Sequence, residues 1–162
     1  RTRPEMARFT FRFDAIDSRA VERITMMNRN EHPPYKHTWL KARDPLPDKP
    51  EVHLALLAYM SDLDFMSTSM LPHGPLTADA NGERTVQGAS LDHAIWFHRP
   101  FRADEWLLFA KESPNAGGAR GFVRGHFFNR AGEMVATAAQ ECLIRPVGAA
   151  RAALEAAQPS AT

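Results

Sequence analysis

Three side chains stand where ordinary packing would not put them. Asp62 and Asp64 follow the apolar run Val52-His53-Leu54-Ala55-Leu56-Leu57-Ala58-Tyr59-Met60. If that run is a helix, both carboxylates fall at its C-terminal end, where the helix dipole disfavours negative charge. Asp62 sits against apolar neighbours, where a carboxylate is costly unless paired. A placement that costs stability marks a candidate site residue. The plain alternative is that both carboxylates cap the next turn in water. Gln140 lies inside Met134-Val135-Ala136-Thr137-Ala138-Ala139-Gln140-Glu141-Cys142-Leu143-Ile144. An amide in an apolar strand needs partners; it belongs either to a site or to an edge strand. Ser90 lies in Gly88-Ala89-Ser90-Leu91-Asp92-His93.

Other chemistries fit less well. Gly88-Ala89-Ser90-Leu91-Asp92 has Asp where a nucleophile elbow needs its second Gly, and it reads as strand, not as a strand-to-helix elbow. In a strand Ser90 and Asp92 share one face and His93 takes the other, so a local triad is poorly aligned. His93 and His98, five apart, also fall on opposite faces, which argues against a zinc pair; both are expected to pack or hydrogen-bond locally. Asp48 and His53 could place an acid and a base at a helix start, or be an N-cap and a surface histidine. Cys142 is the single cysteine. It excludes an intrachain disulfide and four-Cys or Cys2His2 zinc sites, and it is expected to pack as a small apolar residue.

The elements that must position these residues can be read along the chain. The 162 residues carry 20 Lys+Arg against 19 Asp+Glu, and 44% are hydrophobic. That suits one globular domain and argues against a general nucleic-acid binder or an acidic disordered tail. No apolar run approaches the roughly 18 residues of a membrane helix, and Arg1-Thr2-Arg3-Pro4-Glu5 leads into no secretory apolar segment. Phe9–Phe13 alternates as a half-buried strand. Ser18 is a possible cap for a short helix over 19–27, and Glu31-His32-Pro33-Pro34 ends it. Tyr35–Ala42 reads as a strand. Asp48 and Glu51 form a capping-box pattern, with Pro50 in the first turn. The helix that follows is apolar almost all round, which predicts burial on several sides. Strand candidates are Val86–Arg99, Glu105–Glu112, Gly121–Asn129 and Glu133–Arg145. The turns between them are Ser113–Gly118 and Arg130-Ala131-Gly132. Residues 147–162 form an Ala-rich tail, with a short frayed helix over 149–157. The economical assembly is α+β: a curved antiparallel sheet wrapped around one helix, the hotdog fold, over residues 1–146.

Longer strings carry a resemblance. Asp92-His93-Ala94-Ile95-Trp96-Phe97-His98-Arg99-Pro100-Phe101, then Asp104-Glu105-Trp106-Leu107-Leu108, resembles the C-terminal half of the type II acyl-CoA thioesterases of the TesB kind. So do Leu46-Pro47-Asp48, His53–Tyr59, Ser61-Asp62-Leu63, Pro72-His73-Gly74, Ala119-Arg120-Gly121, Val135-Ala136 and Gln140-Glu141 with Arg145. The likeness covers residues 5–146.

The resemblance implies a double-hotdog enzyme of lipid metabolism that hydrolyses fatty acyl-CoA to fatty acid and CoA. Its polar groups, carried over by motif, are Asp62, Ser90 and Gln140. Asp62 would take a proton from water, and Ser90 and Gln140 would fix that water beside the thioester carbonyl. No metal or other cofactor is implied. The family's first hotdog half is not in this sequence, so a missing N-terminal half or a second copy is expected as partner, with homo-oligomers likewise. Two other readings stay open. One is a hotdog enoyl-CoA hydratase using Asp48 and His53, although Pro47-Asp48-Lys49-Pro50-Glu51-Val52-His53 lacks that motif's Gly and Asn. The other is a non-catalytic module that binds acyl-CoA or oligomerises. The expected compartment is the cytoplasm, with no membrane or nucleic-acid partner.

Overall fold

The computed structural model describes residues 15–22, 32–73 and 85–157. Seven antiparallel strands form one sheet: β1 (Ile16–Ala20), β2 (Tyr35–Ala42), β3 (Val86–Ser90), β4 (Ala94–Phe97), β5 (Leu107–Gly117), β6 (Arg120–Phe128) and β7 (Met134–Pro146). Their order is β1-β2-β5-β6-β7-β3, with β4 also paired to β7. Helix α1 (Pro50–Asp62) packs against this sheet, followed by one turn of helix, α2 (Ser67–Met70), and a 3₁₀ turn over Leu71–His73. Helix α3 (Gly148–Ala157) forms in the Ala-rich tail. This is a hotdog sheet and helix. No helix among the described residues is long and apolar enough to cross a membrane.

Period-2 alternation sets the core. Leu107, Phe109 and Lys111 of β5, Gly121, Val123, Gly125 and Phe127 of β6, and Ala136, Ala138, Gln140 and Cys142 of β7 point to one buried face. Phe109 and Phe127 stack there at 4.0 Å between ring centroids. Helix α1 meets this face through His53, Leu57, Met60 and Ser61, the i, i+4, i+7, i+8 stripe of an ordinary amphipathic contact.

Five local expectations change. The predicted wrapping of α1 on several sides is not found among the described residues. Its other face is in water, with Leu54 36% and Tyr59 53% exposed. The capping box does not form. Lys49 is the N-cap, without a side-chain hydrogen bond, because Asp48 is drawn to Arg102 at 3.2 Å. Residues 16–20 are strand, so the helix predicted over 19–27 fails at its start; β1 zips onto β2 from Ile16↔Ala42 to Ala20↔Thr38. Residues 23–27, Phe9–Phe13 and Gly74 lie outside the described residues. The single strand predicted over Val86–Arg99 is two, β3 and β4, broken at residues 91–93. The predicted turn at Ser113–Gly118 is strand as far as Gly117. A register shift between Glu112 and Asn115 absorbs the irregularity, and Gly118-Ala119 makes the turn, both at positive φ (58° and 62°).

Candidate active site

Asp62 is the last residue of α1 and is exposed. Ser90 ends β3, paired in register with Cys142 of β7. Gln140 lies two residues before Cys142 on the same buried face and is 1% exposed. The three predicted residues come together. Ser90 Oγ donates to Asp62 Oδ1 at 3.4 Å, and Gln140 Nε2 donates to Ser90 Oγ at 2.8 Å.

Two further groups extend the run. His93 Nδ1 lies 2.6 Å from Gln140 Oε1, and His93 Nε2 lies 2.7 Å from Ser61 Oγ. With the Gln140 oxygen accepting, Nδ1 carries the proton. Nε2 then accepts from Ser61 when the imidazole is neutral. When it is protonated, Nε2 donates and the Ser61 hydroxyl turns to Ala58 O, 2.7 Å away. In the neutral form every donor in the series Ser61, His93, Gln140, Ser90 points one way, toward the Asp62 carboxylate. Aligned hydrogen bonds of this kind polarise one another.

Sequence reasoning expected His93 to pack or hydrogen-bond locally and gave Ser61 no role. Strand phase put His93 on the face opposite Ser90. That phase fails because β3 stops at Ser90 and residues 91–93 leave strand geometry, which lets the imidazole reach Gln140. Ser61 had a usable signal: it lies eight residues after His53 on the buried helical stripe.

The remaining candidates go elsewhere. Asp92 Oδ1 accepts the Glu141 backbone N–H at 2.7 Å. His98 Nε2 meets Thr137 Oγ1 at 2.8 Å on the exposed side. Asp48 and His53 do not engage each other: Asp48 pairs with Arg102, and buried His53 accepts the Ala103 N–H on Nδ1 at 3.1 Å. Both border a cleft of about 720 Å³ at the start of α1, with Leu54, Phe97 and Phe101. Cys142 is buried with its Sγ 3.1 Å from Gly121 O. Burial pushes its thiol pKa up, the opposite of a nucleophile. Among the described residues no three His, Cys, Asp or Glu side chains gather as a metal site.

A carboxylate held at the end of a hydrogen-bonded series, on a hotdog sheet and helix, can take a proton from water. The sequence profile of the acyl-CoA thioesterase family matches residues 6–143, and the chain belongs to that family. It is similar to acyl-coenzyme A thioesterase 8 of Mus musculus, with 38% identity over 131 residues, 80% of this chain and 39% of the relative. It is likewise 38% identical to acyl-CoA thioesterase 2 of Haemophilus influenzae over 120 residues, 73% of this chain and 40% of that protein. Of solved structures, the acyl-CoA thioesterase II TesB2 from Mycobacterium marinum matches with TM-score 0.69 and 40% identity, over 84% of this chain and 51% of that one. The chain thus spans about two fifths of the length of these curated relatives.

Proposed function

We propose that this chain is the catalytic hotdog half of an acyl-CoA thioesterase, corresponding to the C-terminal half of a double-hotdog enzyme. It would hydrolyse fatty acyl-CoA to fatty acid and CoA by direct attack of water. The observation that carries this is the hydrogen-bonded series ending on Asp62. Ser90 takes the Gln140 N–H and offers its own proton to Asp62 Oδ1, which leaves Oδ2 free to accept a proton from the attacking water. Positioned base assistance of this kind supplies about 10²–10⁴-fold. No covalent enzyme intermediate is needed: Cys142 is buried with a raised pKa, and among the described residues Ser90 Oγ meets Asp62 and Gln140, not an imidazole base. The membership of the acyl-CoA thioesterase family supports the substrate class.

The partner would be a second hotdog half or a second copy of this chain. The exposed side of α1 and the exposed Trp96 and Phe97 of β4 support that reading. The hydratase alternative gains nothing from the geometry, because Asp48 and His53 face different partners. We place the reaction in the cytoplasm, a reading supported by the lone, buried thiol.

The deciding experiment is thiol release from acyl-CoA by wild type and Asp62→Asn. A fall of at least about tenfold in the variant, with near-UV circular dichroism unchanged, is expected. Release unaffected by the substitution would sink the assignment.

A further inference from the structure

We propose that Lys111 and Lys36, acting through Asp64, are positioning residues for Asp62 and His93; this rests on the thioesterase reading of the site. Lys111 lies in the core-facing row of β5 and its side chain is 1% exposed. Directly across from it in register is Lys36 of β2, 12% exposed. Two ammonium groups opposite one another on one sheet face repel. The Asp64 carboxylate reconciles them, with Lys36 Nζ at 2.5 Å and Lys111 Nζ at 3.7 Å. Ser67 bridges Asp64 and Lys36 through its hydroxyl, and Lys111 also donates to Thr38 Oγ1 at 3.3 Å.

Stability alone does not call for this arrangement, since well-packed apolar residues of similar volume often serve a fold as well as buried ion pairs do. Its effect is on the turn between α1 and α2. Asp64 is held there at φ 56°, a left-handed conformation that few residues other than Gly adopt. Asp62 lies two residues before it, and the Phe65 N–H returns to Asp62 O at 3.4 Å. Phe65, the next residue, is fully buried. Its ring meets His93 edge-on at 6.0 Å and Phe109 at 5.2 Å. The Lys111 ammonium lies over that same Phe109 ring, 5.1 Å from its centroid. The residues flanking Asp64 therefore set both the direction of the Asp62 backbone and the support under the His93 ring. Neither lysine touches a group of the hydrogen-bonded series.

Burial lowers the Lys111 pKa to about 8 against the pull of Asp64, and the two ammoniums, overcoming the effect of burial, hold Asp64 below its ordinary value. The charged groups facing Lys111 are Asp64 from the turn, Lys36 from β2 and, at longer range, Glu22 after β1; opposite it in β6 stands Gly125. Below pH 8 Asp64 keeps both cationic partners. As the pH rises through 8 it loses one, and the turn loosens.

The test compares Lys111→Met and Lys111→Arg in the full chain, reading kcat and KM for decanoyl-CoA against pH and the His93 ring resonances by NMR. Lys111→Met is expected to lower kcat about tenfold to a hundredfold, as misplaced groups do, with KM nearly unchanged and the alkaline limb near pH 8 gone. Lys111→Arg, which stays charged, is expected to keep kcat and move that limb upward. Wild-type kcat and an unmoved limb in both variants would overturn the proposal. If Lys111→Met fails to fold, Lys111→Arg decides alone, and an unmoved limb overturns it. A wild type that hydrolyses no acyl-CoA would count against the thioesterase reading instead. The NMR titration then decides, because His93 must show an inflection near pH 8 in wild type that shifts upward in Lys111→Arg.

Discussion

Gln140 donates to Ser90 across the boundary between the buried strand β7 and the exposed end of β3, at 2.8 Å. Its oxygen faces His93 at 2.6 Å, so one buried amide fixes two exposed groups. Replacing Gln140 with Ala leaves both to water. We expect kcat for acyl-CoA to fall at least about tenfold, while the loss of the buried side chain lowers stability by about 1–3 kcal/mol. Thiol release together with urea unfolding separates the two effects.

The order of the series predicts a gradient. Asp62→Asn should cost the most, His93→Ala less, and Ser61→Ala least, because His93 lies three hydrogen bonds from the carboxylate and Ser61 lies four. Steady-state kcat for the three variants, measured at one pH near 7, checks the order. A Ser61→Ala defect as large as that of Asp62→Asn would contradict the one-way arrangement.

Asp104 carries the acid sensitivity of the start of α1. Hydrogen bonds from Arg102 and the Leu46 N–H hold its carboxyl at about 2. A depressed carboxylate adds stability above its unfolded pKa, and that stability is lost as the pH falls toward the folded value. Arg102 is partly solvated, so about 1 kcal/mol is expected. Thermal unfolding of wild type should weaken more steeply between pH 5 and 2 than that of Asp104→Asn.

Gly121 is packed too closely for a side chain. A Cβ there would sit against Ser69 Oγ and 2.5 Å from Ser69 Cβ. Gly121→Ala must push α2 off the sheet, at about 1–3 kcal/mol. Ala119 shows the reverse: its φ of 62° is strained in a two-residue hairpin that favours Gly. Ala119→Gly should raise stability by up to about 1 kcal/mol. Denaturant midpoints of the two variants should move in opposite directions.

The parts legible from sequence were those set by local pattern. β2 is found at the predicted Tyr35–Ala42, and Pro50 lies in the first turn of α1 as predicted. Asp62 and Gln140 stood out because a carboxylate at a helix end and an amide among alanines both cost stability unless used. The failures were tertiary. Arg102, 54 residues away from Asp48, won its carboxylate from the predicted capping box. The break after Ser90, which brings His93 into the site, follows from β7 pairing with two separate strands along its length, and no local signal marks it. Lys111 read as one more residue of an alternating strand; only its register with Lys36 makes it unusual.

That double pairing of β7 has a consequence for motion. Its backbone amides are locked by β6 on one side and by β3 and β4 on the other. Hydrogen exchange at the β7 amides bonded to β6 should require unfolding of the whole domain. β4 is only four residues long, with Trp96 and Phe97 in water, and opens at far lower cost. The wall holding Gln140 is therefore as durable as the fold itself, whereas the wall reached through His93 can breathe.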